Sequence, residues 1–192
     1  MKKVVSLFIL SGVLLVSCND YTPKPKAYPR IERKAEQWVA FEQTAFSFQY
    51  PSSAKIEEVK DVHKDGFWFN ILYPEFDVVI YCTYLPITKK ELGKALDDSH
   101  QLAYSHAAKA DGISQTIYTD PEHRVFGGIY DIGGAVAVPV QFYVTDSVSN
   151  FLRGSLYFNQ IVNVDSIAPI KDFLRNDIVA IIESLEWRSR KK

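Results

Sequence analysis

Two cysteines and four histidines are the most reactive side chains in this 192-residue sequence. Cys18 has the clearest chemistry. It closes Leu15-Val16-Ser17-Cys18, after two basic residues, Lys2 and Lys3, and an apolar run from Val4 to Val16. A basic start, an apolar stretch and a small residue before the processing point are the layout of a secretory signal. A cysteine directly after that small residue makes the pattern a lipobox. The chemistry needs a thiol, because only sulfur can carry the diacylglycerol thioether. The pattern predicts removal of residues 1–17 and acylation of Cys18, of the palmitate kind, leaving it as the membrane-anchored N-terminus. The apolar run is shorter than the ~20 residues that span a bilayer.

The other candidates lack the partners that catalysis requires. Cys82 lies in an alternating run on the same face as Phe76, Val78 and Ile80, which predicts a buried structural thiol. With Cys18 acylated, Cys82 has no partner for an internal disulfide. His100 and His106 are six residues apart on one helical pattern, not the three or four that put two ligands on one face. Asp97 shares a face with His100, but an Asp-His pair needs a nucleophile to become a triad, and none is indicated. His106 follows Leu102 and Ala103 on the apolar stripe and reads as a buried histidine. His63 and His123 fall in polar loops. Gly127-Gly128 and Gly133-Gly134 join strands and do not open a helix, so neither is a phosphate loop. The expectation is a non-enzymatic chain with no catalytic residues, no metal site and no cofactor.

Composition agrees with an ordinary globular domain: 47% apolar and 23% charged residues. Loss of Lys2 and Lys3 leaves 20 basic and 23 acidic residues, which excludes an electrostatic case for nucleic acid. Aromatics reach 14%, with 12 Phe and 11 Tyr, a content that favours strands. Residues 18–40 read as the lipidated N-terminus and a tether, with Pro23, Pro25 and Pro29 keeping it extended. Residues 41–192 read as a single α+β domain.

Within that domain the hydrophobic period alternates between two and 3.6. Strands are predicted over 45–51, 66–74, 76–85, 124–132, 135–144 and 151–159, with hairpin turns at Pro74 and Gly133-Gly134. Val136, Val138, Val140, Phe142 and Val144 share one face of the fifth strand, and Pro139 places that strand at an edge or a bulge. Thr88-Lys-Lys-Glu91 fits a capping box and starts a helix running to Ala110, with Gly112 as a left-handed stop. A second helix starts at Asp165 or Ser166, with Pro169 in its first turn. It carries the stripe Ile170, Phe173, Leu174, Ile178, Ile181, Ile182 and Leu185. Hairpins dominate, so the fold class is α+β: an antiparallel sheet packed by two long helices. The pattern is similar to the Mog1/PsbP arrangement.

Ordered blocks along the chain carry a wider resemblance. They are CNDYTPKPK from Cys18, Phe48–Pro51, Trp68–Ile71, Tyr73-Pro74, Leu102–Tyr104, Lys109–Asp111 and Tyr130–Gly134. QFYVTDS from Gln141, FLRGSLYF from Phe151, Asp165–Pro169 and Leu185–Trp187 follow. With these the chain resembles the gliding-motility lipoprotein D (GldD) family of Bacteroidetes. The resemblance implies an envelope lipoprotein that assists gliding motility and type IX secretion through contacts with other envelope proteins. It implies no reaction and no cofactor. Asn19 after Cys18 is not the inner-membrane retention aspartate of enterobacteria, which points to the outer membrane, facing the periplasm. The candidate interface residues are Arg153, Asp146 and Tyr143. Asp146 lies in the turn Thr145–Asn150, and Arg153 opposes the core face of its strand; an ordinary exposed charge is the plainer reading of Arg153. The alternative function is a tethered small-molecule or glycan-binding module using Trp68, Tyr143 and Tyr157. A periplasmic hydrolase built on His100 or His106 beside Asp97 is a third.

Overall fold

The computed structural model describes residue 31 and residues 37–59, 66–105, 107–159 and 164–188. Cys18, the tether before Ile31, His63 and His106 lie outside these. The elements run β1 (Trp38–Glu42), β2 (Phe46–Pro51), β3 (Lys55–Val59), β4 (Phe67–Tyr73), β5 (Val78–Pro86), α1 (Leu92–Tyr104), a short 3-10 turn, β6 (Gly112–Asp120), β7 (Val125–Gly133), β8 (Val140–Thr145), β9 (Asn150–Phe158), α2 (Val164–Glu183) and β10 (Glu186–Trp187). The fold class is α+β. There are two antiparallel sheets where the sequence suggested one: a seven-stranded sheet ordered β3-β4-β5-β9-β8-β7-β6, and a three-stranded sheet ordered β1-β2-β10.

Alternation divides the large sheet into two unequal faces. The inner face carries Phe69, Ile71, Ile80, Cys82, Tyr84, Leu152, Leu156, Val140, Phe142 and Val144, all buried. Against it packs the stripe of α2, with Leu174, Ile178, Ile181 and Ile182 buried and Ile170 and Phe173 partly so. Arg175 in α2 donates its Nε–H to both oxygens of Asp131, at 2.8 and 3.0 Å, which pins the helix across β7. The small sheet closes the other half of this face with rings. Phe41 lies 5.1 Å from Phe69 and 5.3 Å from Phe48, and Phe46 lies 5.1 Å from Tyr84. Gly154 on β9 leaves the space occupied by the Phe142 ring, which a Cβ there would overlap.

The outer face is covered in part by α1, whose Ser99 and Leu102 lie over Tyr130, Gln141, Arg153 and Ser155. Thr88 and Glu91 make only part of the expected capping box. The Thr88 N–H and hydroxyl both donate to the Glu91 carboxylate at 2.8 Å, and the first helical residue is Leu92. The helix ends at Tyr104 rather than Ala110. Gly112 is not left-handed; it opens β6, an edge strand too polar to read from the sequence. Leu102, placed on the apolar stripe, is 44% exposed.

Three further expectations are corrected. β1 starts at Trp38, inside the segment read as tether. The return strand after Gly133-Gly134 begins at Val140, because residues 135–139 form a loop whose Pro139 carbonyl accepts from the Ile132 N–H at 2.8 Å. Gly134 there has φ +94°, a conformation suited to glycine. Pro169 is not in the first turn of α2, since the helix already starts at Val164.

The β8–β9 turn is held by a buried polar node. Asp146, 5% exposed, accepts from the N–H groups of Val148, Ser149 and Asn150 at 2.9, 2.7 and 2.9 Å, and from the Asn150 side-chain amide at 2.8 Å. The side-chain Oδ1 of Asn150 in turn accepts from the Tyr84 hydroxyl at 2.7 Å. Ser147 sits in the turn with φ 63°. Burial pushes the Asp146 carboxyl up, but the amides of Ser149, Asn150 and Val148 outweigh it and hold the group below its ordinary value.

Two expected outcomes follow. Phe46→Ala is expected to cost about 3–5 kcal/mol in urea unfolding, because it empties the ring cluster between the sheets. A loss below about 1 kcal/mol would contradict that packing. Asp146→Asn is expected to cost about 1.5–3 kcal/mol at neutral pH. The folded-state value of Asp146 is depressed, so its stabilisation exists above the unfolded aspartate value of about 3.9 and fades as pH falls through the folded value. The gap between wild type and variant should therefore close on acidification, and a gap unchanged between pH 7 and about pH 2 would contradict the role of the carboxylate.

Candidate functional site

The outer face is where side chains remain available for contact. Register sets its rows. Trp68, Thr83, Arg153, Tyr143, Gly128 and Ile117 lie side by side across β4, β5, β9, β8, β7 and β6. The neighbouring row is Asn70, Tyr81, Ser155, Gln141, Tyr130 and Gln115. Tyr81, 48% exposed, meets Tyr157, 37% exposed, edge-on at 5.9 Å. On the far side Ile117 is exposed on β6, and Leu102 and Tyr104 are exposed on α1. A band of apolar and aromatic groups thus flanks a single short helix.

The three candidate interface residues take different places. Arg153 is half-buried and lies in a shallow groove of about 460 Å³ between α1 and β9, with Asp98, Gln101, Leu102 and Ser105. Among the described residues its side chain has no ion pair or hydrogen bond. Tyr143 is half-buried, stacks on Phe151 at 5.9 Å and lies 6.2 Å from Tyr130. Burial pushes its hydroxyl up, opposed by a hydrogen bond from Gln115. Gly128 leaves the room in which Gln115 and Tyr143 meet. Asp146 is turned inward and its oxygens are occupied by the turn; its contact outside it is Arg124, 3.6 Å away. The two remaining aromatics, Trp68 and Tyr157, do not line the groove, and neither does Tyr143.

Among the described residues, the candidate catalytic groups take separate places. His100 stacks on Tyr104 at 4.3 Å and meets Tyr130 edge-on at 6.2 Å. His123 pairs with Asp120 in the β6–β7 turn, Nδ1 to Oδ2 2.7 Å, and that hydrogen bond raises its pKa. Cys82 is buried on the inner face, and desolvation pushes its thiol far up, out of reach as a nucleophile at neutral pH. Among the described residues no group of three or more His, Cys, Asp or Glu could hold a metal ion, and no helix is long and apolar enough to cross a membrane.

Sequence reasoning found Arg153 but missed the wall facing it. Asp98, Gln101, Leu102 and Ser105 recur at intervals of three, one and three on α1, a helical face. Mixed polar and apolar types hid that face, because the search for periodicity followed apolar residues alone. Ser99, which the sequence places on the helical stripe with Leu102 and Ala103, is buried with its hydroxyl unpartnered.

No curated protein matches the chain. Among solved structures the chain is similar to the solution structure of cyanobacterial PsbP (CyanoP) from Synechocystis sp. PCC 6803. The identity is 12% and the TM-score 0.48, over 84% of this chain and 98% of that one. The profile of the family described as gliding motility lipoprotein GldD matches residues 18–187, starting at Cys18 and running through β10. The chain therefore belongs to the gliding motility lipoprotein GldD family, a gliding-associated family of lipid-anchored envelope proteins.

Proposed function

We propose that this protein is a non-enzymatic lipoprotein that assists the gliding and type IX secretion machinery of a Bacteroidetes cell through protein–protein contacts. Acylated Cys18 holds it to the outer membrane on the periplasmic side, and the folded domain presents its outer face to other envelope proteins. The observation that carries the reading is the asymmetry of the large sheet. Its inner face is sealed by α2 and the small sheet. Its outer face keeps Tyr81, Tyr157, Ile117, Leu102 and Tyr104 exposed around one 13-residue helix. Exposed apolar and aromatic groups next to a half-buried arginine have the composition of a contact surface.

The ligand-binding alternative has less support. Its three aromatics, Trp68, Tyr143 and Tyr157, do not share the groove, and Tyr143 is stacked against Phe151.

Anchoring and contact are tested together in cells. Cys18→Ala is expected to leave the domain folded, move it out of the membrane fraction and abolish spreading. In-cell crosslinking of the wild-type protein is expected to recover gliding or secretion components. Full spreading with a soluble Cys18→Ala protein would overturn the tether. Recovery of the protein alone would overturn the contact role.

A further inference from the structure

We propose that the groove between α1 and β9 binds a peptide carboxylate, with Arg153 as its anchor. The guanidinium cannot shed its charge, so partial burial without a hydrogen-bonded partner leaves its donors unsatisfied. Arg153 is in that position: half-buried, with no carboxylate in ion-pair range and no hydrogen bond among the described residues. Its neighbours across the register, Thr83 and Tyr143, are uncharged.

A second unsatisfied group points to the same place. A small separate cavity of about 10 Å³ shares Leu102 and Arg153 with the groove and is lined also by Ser99, Gln141 and Ser155. That is room for about one water-sized group. Ser99 is 6% exposed, and its Oγ has no hydrogen-bond partner. Two elements, α1 and β9, thus bring unspent polar groups to two adjoining cavities that share Leu102 and Arg153. The groove volume of about 460 Å³ lies within the usual span of ligand sites, roughly 300–1,000 Å³.

The lining selects among anions. Asp98 faces the same groove, so Arg153 and Asp98 together bring no net charge. A doubly charged phosphate would meet Asp98, whereas a singly charged carboxylate can take the planar fork of Arg153. Gln101 adds an amide donor and acceptor beside it. Leu102 supplies an exposed apolar wall for the residue next to the carboxylate. A carboxylate flanked by an amide and a small apolar side chain is the chemistry of a peptide, either at its chain end or at an acidic side chain. This gives the contact surface proposed above a ligand class, and it rests on that reading only for its role in the cell.

The test uses the full lipidated protein in detergent micelles and isothermal titration with four probes. They are acetyl-trialanine with a free chain end, acetyl-alanyl-glutamyl-alanine amide, acetyl-trialanine amide and inorganic phosphate. One or both carboxylate peptides should bind, and the neutral amide should not. Whichever binds more tightly identifies the source as chain end or side chain. Arg153→Gln should weaken that binding at least tenfold, with Arg153→Lys between. An unchanged melting temperature of Arg153→Gln shows that the loss is one of contact. Equal binding of neutral and carboxylate peptides, no binding by either carboxylate, or wild-type affinity in Arg153→Gln would overturn the proposal. Phosphate binding tighter than both peptides would overturn the choice of carboxylate. These readouts are affinities in vitro, so they fail independently of the spreading and crosslinking tests.

Discussion

A seam of aromatic rings between two sheets holds this fold together. Phe41, Phe46 and Phe48 from the small sheet meet Phe67, Phe69 and Tyr84 from the large one, with ring centres between 5.1 and 6.5 Å apart. Tilted and offset rings at these separations add to the free energy of burial, which for a Phe side chain is already about 1.5–3 kcal/mol. Without the seam, β1, β2 and β10 form a small sheet that cannot bury its own face. With it, the end of α2 is fixed as well, since the Ser184 hydroxyl there accepts from the Gln49 N–H of β2 at 3.0 Å. Trp187 of β10 then donates its ring N–H to the Arg124 carbonyl at 3.1 Å, tying the small sheet to the β6–β7 turn.

Closing one face so completely determines what the other can do. The inner face takes α2, the small sheet and most of the large apolar side chains. Among the described residues α1 is the helix on the outer face, and of its residues Ser99 and Ala103 are buried. A helix with so thin a buried stripe covers the middle of the sheet and leaves its flanks in solvent. Arg153 falls at the boundary, between the covered middle and the open groove. Lipid anchoring restricts such a domain to a membrane-bounded layer, where a tethered surface meets its partners at high effective concentration. In the proposed contact role, modest contacts can then suffice.

The Asp146–Asn150 node shows how a polar side chain can be informative for a reason other than contact. An aspartate in a polar turn looked like a surface group. Its carboxylate is instead the acceptor for three successive amides, and Asn150 passes the connection to Tyr84 in the core. Such bonds in a low-dielectric setting are costly to lose, because the turn amides have no other partner nearby.

Local chemistry alone carries the expectation of a lipobox at Cys18, and it was enough to read the β4–β5 hairpin at Pro74, the buried thiol of Cys82 and the stripe of α2. Each depends on neighbours in the chain: a motif, a turn residue, a period of two or of 3.6. Order along the chain also carried the family resemblance. Other features depended on contacts distant in sequence. β6 is a polar edge strand recognisable only because β7 pairs with it. β10 has two residues and exists only because Phe46 and Ser47 lie beside it. The split into two sheets depends on rings from strands far apart in sequence finding one another. The groove likewise needs a helix face and a strand face, some fifty residues apart, to be laid together by the packed core. Alternation tells which side a residue takes on its own strand, but not what the fold will place above it.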